Sequence, residues 1–102
     1  MTDLVLRQSG RPDAPTIHVA GEIDGATAPM LEQALLKALS ASPRQLRIDG
    51  SEVTFCDSRG LAALIAAWRY AATTNTALSL HPSPRLRRVL TLSGVDTLLD
   101  LA

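Results

Sequence analysis

The chain has 102 residues, 46% of them apolar, with one Phe, one Trp and one Tyr. That suits one domain, spanning 1–102, whose core is filled by Leu, Ala, Val and Ile rather than aromatic rings. Ten basic and ten acidic residues cancel, which excludes a general electrostatic attraction to nucleic acid or anionic lipid.

Residues 3–7 and 15–20 read as strands; in the second, Ile17 and Val19 alternate with Thr16 and His18, the period of a half-buried strand. Residues 8–13 between them are turn-rich, so the pair is expected to be an antiparallel hairpin. Gly21 to Gly25 breaks the alternation. Thr27 is the expected N-cap of a helix to about Ser40, with Pro29 in its first turn and Leu31, Ala34, Leu35, Ala38 and Leu39 as its apolar stripe. A third strand is expected over 44–49, followed by a loop at 50–57. A second helix runs over 58–73, with Leu61, Leu64, Ile65 and Trp68 on one face and alanines filling most other positions. A short strand at 77–80 precedes a third helix that Ser83-Pro84 starts and Gly94 ends, with Leu86, Val89 and Leu90 inward and Arg85, Arg87 and Arg88 outward. The form of 95–101 does not follow from its pattern.

Two strand–helix–strand crossovers imply neighbouring parallel strands. The fold class is therefore α/β: a single mixed sheet of about four to five strands packed with helices, antiparallel at its N-terminal hairpin and parallel elsewhere. The loops at 21–26 and 50–57 both leave carboxyl ends of parallel strands, where sites gather in open α/β sheets. Asp24 and Asp57-Ser58 are thus expected on one rim.

Ser58 stands where a helix begins. Its hydroxyl can cap the helix, or it can accept a phosphate of about −1.5 to −2 charges and present it to unpaired N–H groups and the helix dipole. Asp57 can position that serine for a kinase or stabilise the helix start; Asp24 with Gly25 can be turn chemistry or a partner contact.

Ile48-Asp49-Gly50-Ser51-Glu52-Val53-Thr54-Phe55-Cys56-Asp57-Ser58-Arg59-Gly60-Leu61 resembles the signature of STAS domains, and of bacterial anti-sigma factor antagonists among them. Gly21-Glu22-Ile23-Asp24, the Ser83-Pro84 helix start and Leu92-Ser93-Gly94-Val95 fall where that family has counterparts, so the resemblance covers nearly the whole chain. It implies a STAS fold and a protein that binds an anti-sigma factor when unphosphorylated, freeing a sigma factor. The anti-sigma factor would also be the serine kinase that switches this protein off at Ser58, with a serine phosphatase as a further partner. The partner-binding residues it implies are Asp24, Asp57, Ser58, Arg59 and Gly60, with no cofactor. Arg59 departs from the small residue usual there, so it can pair with a phosphate or with Asp57, or alter which kinase accepts the site. Gly50 replaces a bulkier residue and is expected to loosen the loop. The alternative is a small cytosolic STAS subunit of a lipid-transport ATPase.

Asp49 reads as a turn former bonding the loop backbone. Cys56, the single cysteine, reads as a small buried hydrophobe and fits a reducing compartment. His18 and His81 lie in separate segments, with no motif linking them to a nucleophile or metal set. Trp68 is in phase with the core. The three arginines read as a solvated helix face, or less simply as a partner surface. The longest apolar run, 61–68, is far short of the ~20 residues that span a bilayer, and no secretory signal is legible. A cytoplasmic protein without membrane insertion is expected. No phosphate loop or paired acid–base motif speaks for an enzyme.

Overall fold

Alternation of apolar and polar side chains sets the sheet. The structure, a computed structural model, describes residues 3–97 and 99–101. Strands β1 (Leu4–Arg11) and β2 (Ala14–Ile23) form the antiparallel hairpin, with only Pro12-Asp13 between them. The hairpin is longer than expected because β1 is an exposed edge strand, where Gln8, Ser9 and Arg11 pair without burying a polar side chain. The chain continues through α1 (Ala28–Ser40), β3 (Gln45–Cys56), α2 (Ser58–Thr73), β4 (Ala77–Pro82) and α3 (Pro84–Ser93). A 3-10 turn, Val95–Thr97, and a two-residue strand β5, Asp100–Leu101, complete it.

The strand order is β1-β2-β3-β4-β5, parallel from β2 onward. Every parallel step moves in one direction across the sheet, so right-handed crossovers place α1, α2 and α3 on one face. Burial follows that rule. Ile17, Val19, Leu46, Ile48, Leu78 and Leu80 are buried under the helices. Thr16, His18, Arg47, Asp49, Ser79 and His81 occupy the opposite face, half-buried or exposed.

The expected loop at 50–57 is not a loop. β3 runs on to Cys56, and its buried positions are Leu46, Ile48, Gly50, Val53 and Cys56, so the spacing changes from two to three. Each step of three absorbs one extra residue against β2, where the register slips between His18 and Ala20 and again between Gly21 and Glu22. These are β-bulges. They hide the strand from a period-two reading. β2 likewise passes through the Gly21 break to Ile23; Gly21, at φ +113, lets the backbone come close to Asp3, whose carbonyl accepts from Glu22 N at 3.0 Å. Gly50 loosens nothing. It is buried in β3, and a Cβ there would stand 3.1 Å from Leu86 Cδ2, so glycine lets α3 settle on the sheet.

Helix α2 buries a face rotated from the one its large residues suggest, sharing Leu64 with it. Gly60, Ala63, Leu64, Ala67 and Ala71 are buried, while Leu61, Ile65 and Trp68 sit half-buried at the margin. Small side chains at every fourth position let the helix lie close to its neighbours, and the larger ones seal the seam. In α3, Leu86 and Leu90 are buried and Gly94 ends the helix at φ +77, as expected of a left-handed cap.

Candidate functional site

The β2–α1 turn and the start of α2 meet at the carboxyl ends of β2 and β3. Asp57 N donates to Ile23 O at 3.1 Å, which ties the two segments together. In the first, Asp24 Oδ1 accepts from Ala26 N at 2.9 Å and Thr27 N at 3.2 Å. Thr27, the expected cap of α1, makes no side-chain cap. Its backbone is already helical, so its hydroxyl turns back and donates to Glu22 O at 2.8 Å. Asp24 takes the capping task.

At the second segment the N-cap is Asp57, with extended backbone at φ −102 and ψ −170. Its Oδ1 accepts from Arg59 N at 3.0 Å and Gly60 N at 3.1 Å. Ser58 is therefore the first helical residue and not the cap, which corrects one of the two readings of its hydroxyl. It is exposed, and no hydrogen bond holds its hydroxyl among the described residues. The donors at Arg59 N and Gly60 N are already engaged, so they would not receive a phosphate as the sequence suggested. The helix field and nearby cations would remain.

Arg59 reaches across to the first segment. A Cβ on Gly25 would collide with its guanidinium and come 2.9 Å from its Cδ. Glycine at 25 is thus the seat of the Arg59 side chain. Gly60 has a different place from the other four residues: it is buried, and a Cβ there would lie 2.7 Å from both Cys56 Sγ and Ile23 Cγ2. It brings the helix start down onto the strand ends and offers no side chain outward. Cys56 is buried as expected, and burial pushes its thiol up to about 11, helped by the Asp57 charge.

Beside the rim, Ser83 Oγ donates to Val53 O at 2.6 Å and accepts from Leu86 N at 3.1 Å, fixing α3 to β3. Between them runs a groove of about 820 Å³ whose lining includes Phe55, Arg85, Arg88, Val89 and Leu92. Phe55 and Leu92 are 42% and 78% exposed. Sequence reasoning missed Phe55, because the bulge that turns it outward is invisible without the partner strand.

A family model described as "Mlab, STAS domain" matches residues 6–100. The chain belongs to the STAS domain family. Over 86 residues it is 35% identical to the anti-sigma-B factor antagonist of Listeria monocytogenes, covering 83% of this chain and 75% of that protein. An anti-sigma factor antagonist from Mycobacterium paratuberculosis has a solved structure that superposes with a TM-score of 0.83 at 33% identity, over 97% of this chain and 85% of the other. Unphosphorylated SpoIIAA, at 21% identity, shares the fold with a TM-score of 0.74 over 96% of this chain and 88% of its own. The STAS fold and the antiparallel hairpin on an otherwise parallel sheet stand as the sequence implied.

Three further residues of this STAS domain were not singled out together by the sequence. Ser9, His18 and Asp49 meet on the face opposite the helices. Asp49 also accepts from Ser51 N at 3.1 Å, the turn-like bond expected of it. His18 and Asp49 are direct neighbours in the β2–β3 register, which no single segment reveals.

Proposed function

We propose that this protein, as one STAS domain over 1–102, is an anti-sigma factor antagonist whose binding surface is the rim formed by Asp24, Asp57, Ser58 and Arg59. It binds an anti-sigma factor while Ser58 is unmodified, which frees a sigma factor. That anti-sigma factor acts as the serine kinase for Ser58, and a serine phosphatase restores the free hydroxyl. The reading is of a regulatory binding protein in the cytoplasm, whose partner switching needs no catalysis of its own. No helix among the described residues is long and apolar enough to cross a membrane.

One observation carries it: Ser58 is exposed at the start of α2 with its hydroxyl unengaged, because Asp57 holds the cap. A phosphate there disturbs no internal bond. It adds about two negative charges beside the Asp57 carboxylate, enough to repel an acidic partner surface without unfolding the domain. The curated relative is named for the same activity, and SpoIIAA has been solved in phosphorylated as well as unphosphorylated form. The groove beside the rim, with Arg85, Arg88 and exposed Phe55 and Leu92, extends the surface available to the partner.

The test is co-purification from the native cells, with mass spectrometry of Ser58. Recovery of a small anti-sigma kinase bound only to the unphosphorylated protein supports the reading. Recovery of a membrane ATPase, or a Ser58 that the anti-sigma kinase never modifies, overturns it.

A further inference from the structure

Three strands bring three side chains into one hydrogen-bonded chain on the open face of the sheet. Ser9 Oγ of β1 lies 2.8 Å from Nε2 of His18 on β2, and His18 Nδ1 lies 3.2 Å from Oδ2 of Asp49 on β3. The other Asp49 oxygen accepts from Ser51 N, and hydrogen bonds from Ser51, its side chain first, hold the carboxyl below its ordinary value. An ionised carboxylate only accepts, so Nδ1 carries the proton toward Asp49. In the neutral ring Nε2 is then a lone pair, and the Ser9 hydroxyl donates to it. That is the order of contacts by which a serine is activated: hydroxyl, base, orienting acid, recognised by geometry and not by chain position.

We propose that Ser9 is a nucleophilic serine, activated by His18 and oriented through Asp49, that accepts acyl groups from small activated esters. Ser9 Oγ attacks the carbonyl carbon as its proton passes to His18 Nε2. The bond to the leaving oxygen then breaks, and that oxygen takes the proton from His18, leaving Ser9 esterified and the imidazole neutral. Water, giving a proton to the same nitrogen, then bonds to the acyl carbon; the bond to Ser9 Oγ breaks, Oγ takes the proton back from His18, and the carboxylic acid leaves.

The setting suits small substrates. Ser9 is exposed, and a depression of about 280 Å³ on the same face is lined by its partner His18 together with Thr16, Arg47, Asp49 and His81. Arg7, the cross-strand neighbour of His18, and Arg47 place cations on the same face for a developing oxyanion. The site is open to water, so the gain is set by the base, about 10²-fold at the low end of general-base catalysis.

The experiment treats the whole protein with a fluorophosphonate probe and, in parallel, p-nitrophenyl acetate, then locates adducts by peptide mass spectrometry. Exposed Ser51 and Ser58 are internal references. Ser9 is expected to be modified at least about tenfold faster than either, with the advantage lost in His18→Gln, reduced in Asp49→Asn, and absent in urea. Circular dichroism confirms that each variant is folded, and His18→Ala is the second variant should His18→Gln not be. Equal labelling of the three serines, or a Ser9 advantage that persists in a folded His18 variant, overturns the proposal.

Discussion

At the scale of single residues, the rim divides its work between neighbours. Asp57 secures the helix and leaves Ser58 with nothing to hold. Ser58→Ala should therefore change unfolding free energy by no more than about 0.5 kcal/mol while abolishing phosphorylation, checked by urea titration and kinase assay. Asp57→Ala removes the acceptor for two backbone donors and should cost about 1 kcal/mol by the same titration. Ser58→Asp should weaken anti-sigma binding by calorimetry; unchanged affinity would refute charge repulsion. With its thiol pushed up to about 11 and buried, Cys56 should react with iodoacetamide at neutral pH only as fast as the protein opens. Which of two adjacent polar residues caps and which is displayed was not legible in the chain: both Asp and Ser are good caps, and only the extended backbone at Asp57 decides. Arg59 stood out in the sequence as unusual for the family, but its rest on Gly25 needed the two loops in place.

Among the elements, helix existence was legible and helix facing was not. Leu31, Leu35 and Leu39 repeat every four residues and are all buried, so α1 could be read directly. In α2 the large residues, Leu64 apart, mark the margin of the buried face and not its centre, because close approach is governed by what is small. Gly60→Ala tests this. The new Cβ would overlap Cys56 Sγ and Ile23 Cγ2, costing about 1–3 kcal/mol of overpacking, partly offset by about 1 kcal/mol of helix propensity. A net loss of stability, and weaker partner binding as the helix start is lifted, are the expected results of denaturation and binding measurements. Gly25→Ala should leave stability nearer the parent and displace only Arg59, seen as shifts confined to the rim in an amide NMR spectrum. The extent of β3 was missed for a related reason: a bulge spoils alternation locally while the ladder continues.

For the whole molecule, topology follows from chain order and handedness, and so could be anticipated; the meeting of Ser9, His18 and Asp49 depends on register among three strands and could not. The Asp49 charge bears on stability. Asp49 is held below its ordinary value by Ser51 and His18. Its folded-state pKa is depressed, so its contribution is present above the unfolded value of about 3.9 and disappears as pH falls through the folded one. Urea midpoints of wild type and Asp49→Asn should differ at about pH 6 and converge toward about pH 3; a constant difference would show that the carboxylate's charge is not what stabilises.

The two bulged steps of β3 carry a mechanical meaning. From Thr16 to Ile23 the hairpin strand advances seven positions while its neighbour, from Arg47 to Cys56, advances nine, so two spare residues serve as shims under the Ser58 platform. Removing one, Ser51 for instance, would restore plain pleating at the first of the two bulges yet set Ser58 back by about 3.3 Å, leaving Asp24 at its former height. Evolution can thus tilt the docking plane of such a domain by adding or dropping a link, without repainting its surface.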